Sequence, residues 1–206
     1  MNYTDRHVNP VSYAEFGLLV ESLISKIQIL IEKEKIQIDG VAPVLRSGGV
    51  AGSMIAVHFR VPVMFPLQFK YHYQPRALKQ VLQLPPVPDG LPRDPVILIC
   101  ENNTTSGKTA RGAIDAVKQQ IPHAKILYAT VSKVFGGPDT IEGAEHYFYG
   151  ICTNENFLAT QDQEREMGLR PGIAVYPWEV ISDELREMNG ISSFLHPSNL
   201  TQPSPS

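Results

Sequence analysis

An uninterrupted apolar run at positions 96–100 (VILIC) is the feature that most constrains how this chain can fold. A short apolar run bounded by polar residues is typical of a buried strand. A polar loop follows it, and then a helical pattern whose apolar face holds Ala110, Ala113, Ile114, Val117 and Ile121. A strand that leads through a loop into a helix is the repeating unit of a parallel α/β sheet.

The same alternation continues through most of the chain. Residues 16–31 and 50–57 carry apolar side chains at helical spacing, and Ser12 has the position of an N-cap for the first helix. Strand-like segments are predicted at residues 40–45, 60–64, 125–131, 145–151 and 173–176. We therefore predict an α/β fold with a mainly parallel sheet flanked by helices, formed by a single domain over residues 1–191.

Two segments depart from this alternation. Residues 66–95 contain seven prolines and little periodicity, which predicts a surface excursion, a mobile flap, rather than part of the core. Residues 192–206 are rich in Ser, Pro and Asn, which predicts a flexible tail.

Composition excludes several classes of protein. The net charge is −3, from 18 basic and 21 acidic residues, and no basic stripe that would bind a nucleic acid is visible. No stretch is apolar over the length of a bilayer, and residues 1–10 lack the apolar block of a signal peptide, so we expect a cytoplasmic protein without membrane contact. The two cysteines and six histidines show no metal-ligand spacing, and metal ligands stay unassigned.

The loop after the apolar run has the residues of an anion site. An open parallel sheet binds ligands at the carboxyl ends of its strands, and Glu101 stands at such an end. The residues that follow offer hydroxyl and backbone N–H donors at a helix start: Asn102, Thr104, Thr105, Ser106, Gly107, Lys108 and Thr109. The last four also match the end of a Walker A loop, but Asn102 occupies the position of that motif's first glycine, which disfavours a P-loop protein.

A second loop, at the end of the predicted strand 40–45, has complementary chemistry. It consists of Arg46, Ser47, Gly48 and Gly49. Paired glycines let the backbone approach a ligand closely, and the arginine supplies a fixed positive charge suited to pyrophosphate.

Together the two loops resemble those of the type I phosphoribosyltransferases, particularly the 6-oxopurine branch, over residues 12–182. In that family a loop with four apolar residues, two acidic residues and a Thr-Gly-Lys-Thr ending binds 5-phosphoribosyl-1-pyrophosphate (PRPP), and here it reads ILIC-EN-NTT-SGKT over residues 97–109. The segment RSGG at 46–49 is similar to the family's pyrophosphate loop, which a cis peptide bond often precedes. The resemblance implies a small hood, built from the N-terminal segment and residues 145–182, and a flexible flap.

The resemblance also implies roles for single residues. Glu101, Asn102 and residues 104–109 would bind PRPP, and residues 46–49 with Arg76 would bind the pyrophosphate. Arg76 and, by position only, Thr105 would be the catalytic residues. Lys133 and Phe157 would bind the base. A Mg²⁺ ion carried mainly by PRPP and a homodimeric assembly are implied in the same way.

Two departures from the family pattern leave an alternative open. Asn102 stands where the family has a second acidic residue, and Thr105 stands at the position of a catalytic aspartate. A threonine hydroxyl has no pKa suited to moving a proton at neutral pH. The alternative is therefore a PRPP-binding regulatory protein with weak or no activity.

Overall fold

The computed structural model describes residues 2–73, 76–87 and 90–190, without the side chains of residues 71–73 and 76. A short 3-10 helix (Asp5–His7) precedes five α-helices: α1 (Tyr13–Glu34), α2 (Ser47–His58), α3 (Lys108–Gln120), α4 (Gln161–Met167) and α5 (Ile181–Met188). The nine strands of these ranges are β1 (Val8–Pro10), β2 (Gly40–Leu45), β3 (Leu67–Tyr73), β4 (Arg76–Leu82), β5 (Val96–Thr104), β6 (Lys125–Val134), β7 (His146–Asn154), β8 (Arg170–Pro171) and β9 (Ile173–Val175).

Seven strands form one sheet in the order β4-β3-β2-β5-β6-β7-β8, with β5 at its centre. The neighbours pair in parallel except for the antiparallel pair of β3 and β4. A separate two-stranded parallel sheet joins β1 to β9. The predicted α/β fold with a mainly parallel sheet is thus confirmed.

Strand β5 explains why the apolar run is unbroken. Leu98 and Cys100 belong to the core cluster on the side of α1 and α2. Ile97 and Ile99 belong to the cluster that α3 covers. Because helices cover both faces of the sheet, every side chain of this stretch is buried, and no polar alternation is left in the sequence.

The structure corrects two predictions for the first half of the chain. Residues 60–64 form no strand; Met64 makes only an isolated bridge to Val41. Residues 66–95, predicted as surface excursion, instead contain β3 and β4, and they place Leu67 and Leu84 in the core. The prolines misled the interpretation because several of them lie after β4, where they interrupt no ladder.

The N-terminal segment and the residues after β7 come together beside the main sheet. Val8 pairs with Ile173, and an apolar cluster joins Ile173 and Val175 of this small sheet to Leu185 of α5. The division into one domain, hood and flap stays a prediction, and residues 192–206 lie outside the described residues. Among the residues that the structure describes, no helix combines the length and apolarity needed to span a membrane.

Candidate functional site

The loop between β5 and α3 forms one wall of a cavity of about 660 Å³. Gly107 precedes α3 with a φ of 70°, a left-handed conformation that favours glycine, and it turns the chain into the helix. Thr105, Ser106 and Lys108 are exposed. The remaining wall comes from the N-terminal segment and the C-terminal half: Tyr3, Glu155, Asn156, Ile173, Ala174, Tyr176, Glu179, Glu184 and Met188.

The second predicted loop lies against the first. The peptide bond between Leu45 and Arg46 is cis, as predicted. Helix α2 starts at Ser47, and its Gly48 contacts β5 so closely that an added Cβ would lie 2.5 Å from the Cys100 carbonyl oxygen. The structure therefore brings residues 46–49 to the strand end that carries Glu101.

Glu101 is held at the cavity by a buried tyrosine. Its carboxylate accepts a hydrogen bond from the hydroxyl of Tyr128, which also lies 2.7 Å from the Thr104 Oγ1 atom. Burial raises the pKa of Glu101 to about 7, although the Tyr128 hydrogen bond opposes this rise. The group therefore changes its charge near neutral pH, and ligand donors that bind its carboxylate would favour the ionised form.

Glu155 is a second carboxylate of the cavity, more deeply buried than Glu101, and the sequence interpretation missed it. Its side chain is 5% exposed, and the Asn103 Nδ2 atom donates to both of its oxygens at 3.0 and 3.1 Å. The backbone N–H of Ala174 adds a further donor at 3.3 Å. Burial raises the pKa of Glu155 to about 7. Its position directly after β7 is the signal that could have found it.

Glu179, also missed, connects the two predicted loops. One of its carboxylate oxygens accepts from the Ser47 Oγ atom at 3.2 Å and from the Asn102 Nδ2 atom at 3.4 Å. The other accepts from the backbone N–H of Tyr176 at 2.9 Å. Trp178 holds this segment in place, because its Nε1 atom donates to Ser47 and its ring packs edge-on against Phe16.

Glu184 completes a group of carboxylates at the cavity. Its pKa is raised to about 7 by burial and by the neighbouring Glu179 and Glu187, while Lys70 and Arg46 oppose the rise. Lys70, from the β3–β4 hairpin, pairs with Glu187 of α5. The cavity therefore combines a donor-rich loop on one side with acidic acceptors on the other.

The residues predicted to bind a base lie elsewhere among the described residues. The Lys133 Nζ atom forms an ion pair with Asp139 and lies 5.4 Å from the centroid of the Tyr149 ring. Phe157 packs into the apolar cluster of the N-terminal segment, with its ring 5.1 Å from that of His7. Neither is among the described residues that line the cavity. Arg76, the first residue of β4, pairs through its backbone with Tyr73 of β3, and the structure does not describe the Arg76 side chain.

Replacing Glu155 with glutamine should flatten the dependence of stability on pH. The folded protein holds a proton on Glu155 up to a pKa of about 7, against an ordinary value of 4.5, so it binds more protons than the unfolded chain between these values. Its free energy of unfolding then falls as pH rises through this window. Between pH 5 and pH 8, we expect the free energy of unfolding of Glu155→Gln to rise on the order of 3 kcal/mol relative to that of the wild type.

Denaturant unfolding of both proteins at pH 5, 6, 7 and 8 measures this difference. The Glu142→Gln variant is a control, because Glu142 is an exposed residue away from the cavity. Parallel pH profiles for the wild type and Glu155→Gln would contradict the assignment.

The sequence matches no protein-family model and no curated protein. Its fold, however, is similar to solved structures. A purine phosphoribosyltransferase from Pyrococcus horikoshii has a TM-score of 0.59 at 15% identity, over 85% of this chain and 95% of that one. The xanthine-guanine-hypoxanthine phosphoribosyltransferase of Helicobacter pylori has a TM-score of 0.57 at 15% identity, over 87% and 97%.

A protein of Neisseria gonorrhoeae with bound ppGpp is similar to the same extent, with a TM-score of 0.60 at 16% identity, over 88% of this chain and 96% of that one. These likenesses cover 85–88% of this chain. The chain therefore has the type I phosphoribosyltransferase fold.

Proposed function

We propose that this chain binds PRPP and transfers its phosphoribosyl group to a nucleobase, with release of pyrophosphate. The observation that carries the proposal is the wall formed by residues 101–109, where a hydroxyl-rich loop and the start of a 13-residue helix meet the half-buried carboxylate of Glu101 at one cavity. Such a wall offers N–H and O–H donors to a phosphate and an acceptor to sugar hydroxyls.

Each part of PRPP has a place in this proposal. Residues 106–109 bind the 5′-phosphate through backbone N–H groups and hydroxyls. Glu101 and Asn102 accept from the ribose hydroxyls, and residues 46–49, with Arg76, bind the pyrophosphate. The contact of Gly48 with β5 supports this arrangement, because it keeps the two loops adjacent.

The reaction exchanges one bond at the anomeric carbon. The bond from this carbon to the pyrophosphate oxygen breaks, and the pyrophosphate leaves with the bonding electron pair. A bond to a base nitrogen forms, and the base loses a ring N–H proton to the pyrophosphate or to water. The transition state has oxocarbenium character, so catalysis would come from positioning and from stabilising the departing anion. Exclusion of water matters because hydrolysis of PRPP competes with transfer.

The cavity residues fit a Mg²⁺ ion that arrives with PRPP. Among the described residues, no group of three histidine, cysteine or acidic side chains could hold a metal alone. Hard oxygen acceptors are nevertheless present, namely the Asn102 Oδ1 atom and the carboxylates of Glu155 and Glu179. Such oxygens can accept from the waters of a hydrated ion. When bound, Mg²⁺ would supply neutralising charge at the pyrophosphate.

A 6-oxopurine is the acceptor base that we infer, from the resemblance of the two loops and from the names of the similar structures. Lys133 and Phe157 stay predictions for the base site. We also infer a homodimer. The exposed apolar side chains Val50, Met54 and Val57 of α2 support a subunit interface on this face of the helix.

Calorimetric titration of PRPP with Mg²⁺ tests the proposal, with hypoxanthine, guanine, xanthine and adenine added in turn and pyrophosphate release assayed in the same samples. We expect binding in the micromolar range and release with one of the oxopurines. Binding without release for any base would identify a PRPP-binding regulatory protein instead, and absence of binding would refute the proposal.

A further inference from the structure

The side-chain amide of Asn102 uses its nitrogen, but not its oxygen, in a hydrogen bond among the described residues. It is 6% exposed and lines the cavity, and its Nδ2 atom donates to Glu179. Its Oδ1 atom is buried and has no hydrogen-bond partner in the part of the chain that the structure describes. A buried acceptor without a donor is costly in a folded protein, so such an atom at a cavity points to a ligand donor.

The contact with Glu179 explains why an asparagine suits position 102 better than an aspartate. The Asn102 Nδ2 atom lies 3.4 Å from a carboxylate oxygen of Glu179, and an amide donor is compatible with this contact. An ionised aspartate in the same place would set two negative charges side by side, which is unfavourable in a buried site. The amide orientation is fixed for the same reason, because Oδ1 facing the carboxylate would be repelled.

Glu179 is held where a ligand could use its charge. It lines the cavity, and donors from Ser47 and Tyr176 fix its two oxygens. Arg46 is near enough to lower its pKa, although burial, the larger effect, raises it. The residue thus contacts β5 and α2 at once, although 77 positions separate it from Asn102.

From these contacts we propose that Asn102 and Glu179 act as one acceptor pair for the O–H donors of the ligand, and that Glu179 carries the negative charge that Asn102 lacks. The donors are the ribose hydroxyls or the waters of a divalent cation bound to PRPP, which share the same O–H chemistry. The negative charge of this subsite then lies on Glu179, in the segment between β9 and α5. On this proposal, the asparagine at position 102 does not indicate that activity has been lost. The inference rests on the proposed PRPP binding and specifies one of its subsites.

A charge exchange between the two positions tests the pair. We expect Glu179→Gln to weaken PRPP–Mg²⁺ binding about 10- to 100-fold, as for loss of a charge-assisted hydrogen bond. Adding Asn102→Asp to that variant should bring the affinity back to within about threefold of the wild type, because the charge returns beside the ligand. The variant Glu142→Gln is the control, since it removes an exposed carboxylate that does not line the cavity, and we expect at most a threefold change.

Ribose 5-phosphate in EDTA separates the two sources of the donors. Loss of its binding in Glu179→Gln would assign the pair to the hydroxyls, whereas an effect seen only with Mg²⁺ would assign it to the waters of the cation.

Should Glu179→Gln fail to fold by thermal melting, Asn102→Ala removes the unused acceptor from the other side of the pair, and we expect the same 10- to 100-fold loss.

Three results would overturn the pair: wild-type affinity in Glu179→Gln or in Asn102→Ala, no recovery of affinity in the double variant, or an equal loss of affinity in Glu142→Gln. Each of these leaves the proposed function intact as long as the wild type binds PRPP. Failure of the wild type to bind either probe would refute the proposed function and the pair together.

Discussion

Replacing Gly48 with alanine is expected to weaken PRPP binding strongly and to destabilise the protein. The new Cβ atom would lie 2.5 Å from the Cys100 carbonyl oxygen and 3.0 Å from the Glu101 Cα atom, and neither backbone atom can move aside. Helix α2 must then shift away from β5, at a cost of about 1–3 kcal/mol for overpacking. The shift separates residues 46–49 from Glu101, so we expect an affinity loss of at least 100-fold, of the order that misplacement of binding groups by about 1 Å produces.

A glycine of α1 supplies a control. An added Cβ at Gly17 would meet nothing within 4 Å. Gly17→Ala adds the same atoms to a helix position that does not line the cavity, and it should keep the affinity. Denaturant unfolding and calorimetry on both variants measure the two effects. Equal behaviour of the two would refute a specific role for the contact between α2 and β5.

Replacing Glu101 with alanine should remove most PRPP affinity while the chain stays folded. The carboxylate would accept charge-assisted hydrogen bonds from the ribose, each worth about 1.5–3 kcal/mol, so we expect a loss of at least about 30-fold. The free energy of unfolding at pH 8 should not fall along with the affinity. Burial raises the pKa of Glu101, so the wild type pays for an ionised carboxylate at this pH and the variant does not. The hydroxyl of Tyr128 keeps Thr104 as a partner.

The pH dependence of binding gives this variant a second readout. Wild-type affinity should rise between pH 6 and pH 8 as Glu101, with its pKa of about 7, becomes ionised and a better acceptor. We expect Glu101→Ala to lose that part of the rise. Unchanged PRPP affinity in the variant would contradict the assignment, and Glu101→Gln, which keeps the size of the side chain, separates charge from packing.

The sequence predicted the contiguous parts of the site and missed those that only the fold assembles. Residues 101–109 could be found because one strand, one loop and one helix start place all their donors next to each other in the chain. Glu155 and Glu179 lie 52 and 77 positions from their partners Asn103 and Asn102, and no periodicity links such positions. Their roles depend on how β7 and the segment after β9 come to lie beside β5.

Which strands of the fold could be predicted from the sequence has a similar physical cause. The parallel core was predictable because strands buried on both faces leave unbroken apolar runs, as at 96–100. The β3–β4 hairpin was missed because it pairs at the edge of the sheet, where the polar side chains of Gln68, Lys70 and Lys79 are tolerated beside Leu67. Edge strands carry a weaker sequence signal than central ones.

The pairing of β1 with β9 sets the order in which the cavity can be completed during synthesis. The strands of the main sheet through β7 can associate before the chain beyond them has left the ribosome, but β1 has no partner until β9 has been made. Contacts of the N-terminal segment join residues as distant as 186 positions, such as Tyr3 and Asn189. Closure of so long a loop is slow, and a nascent chain truncated before residue 173 would lack one wall of the cavity. The cavity is therefore complete only once the polypeptide has been made through α5.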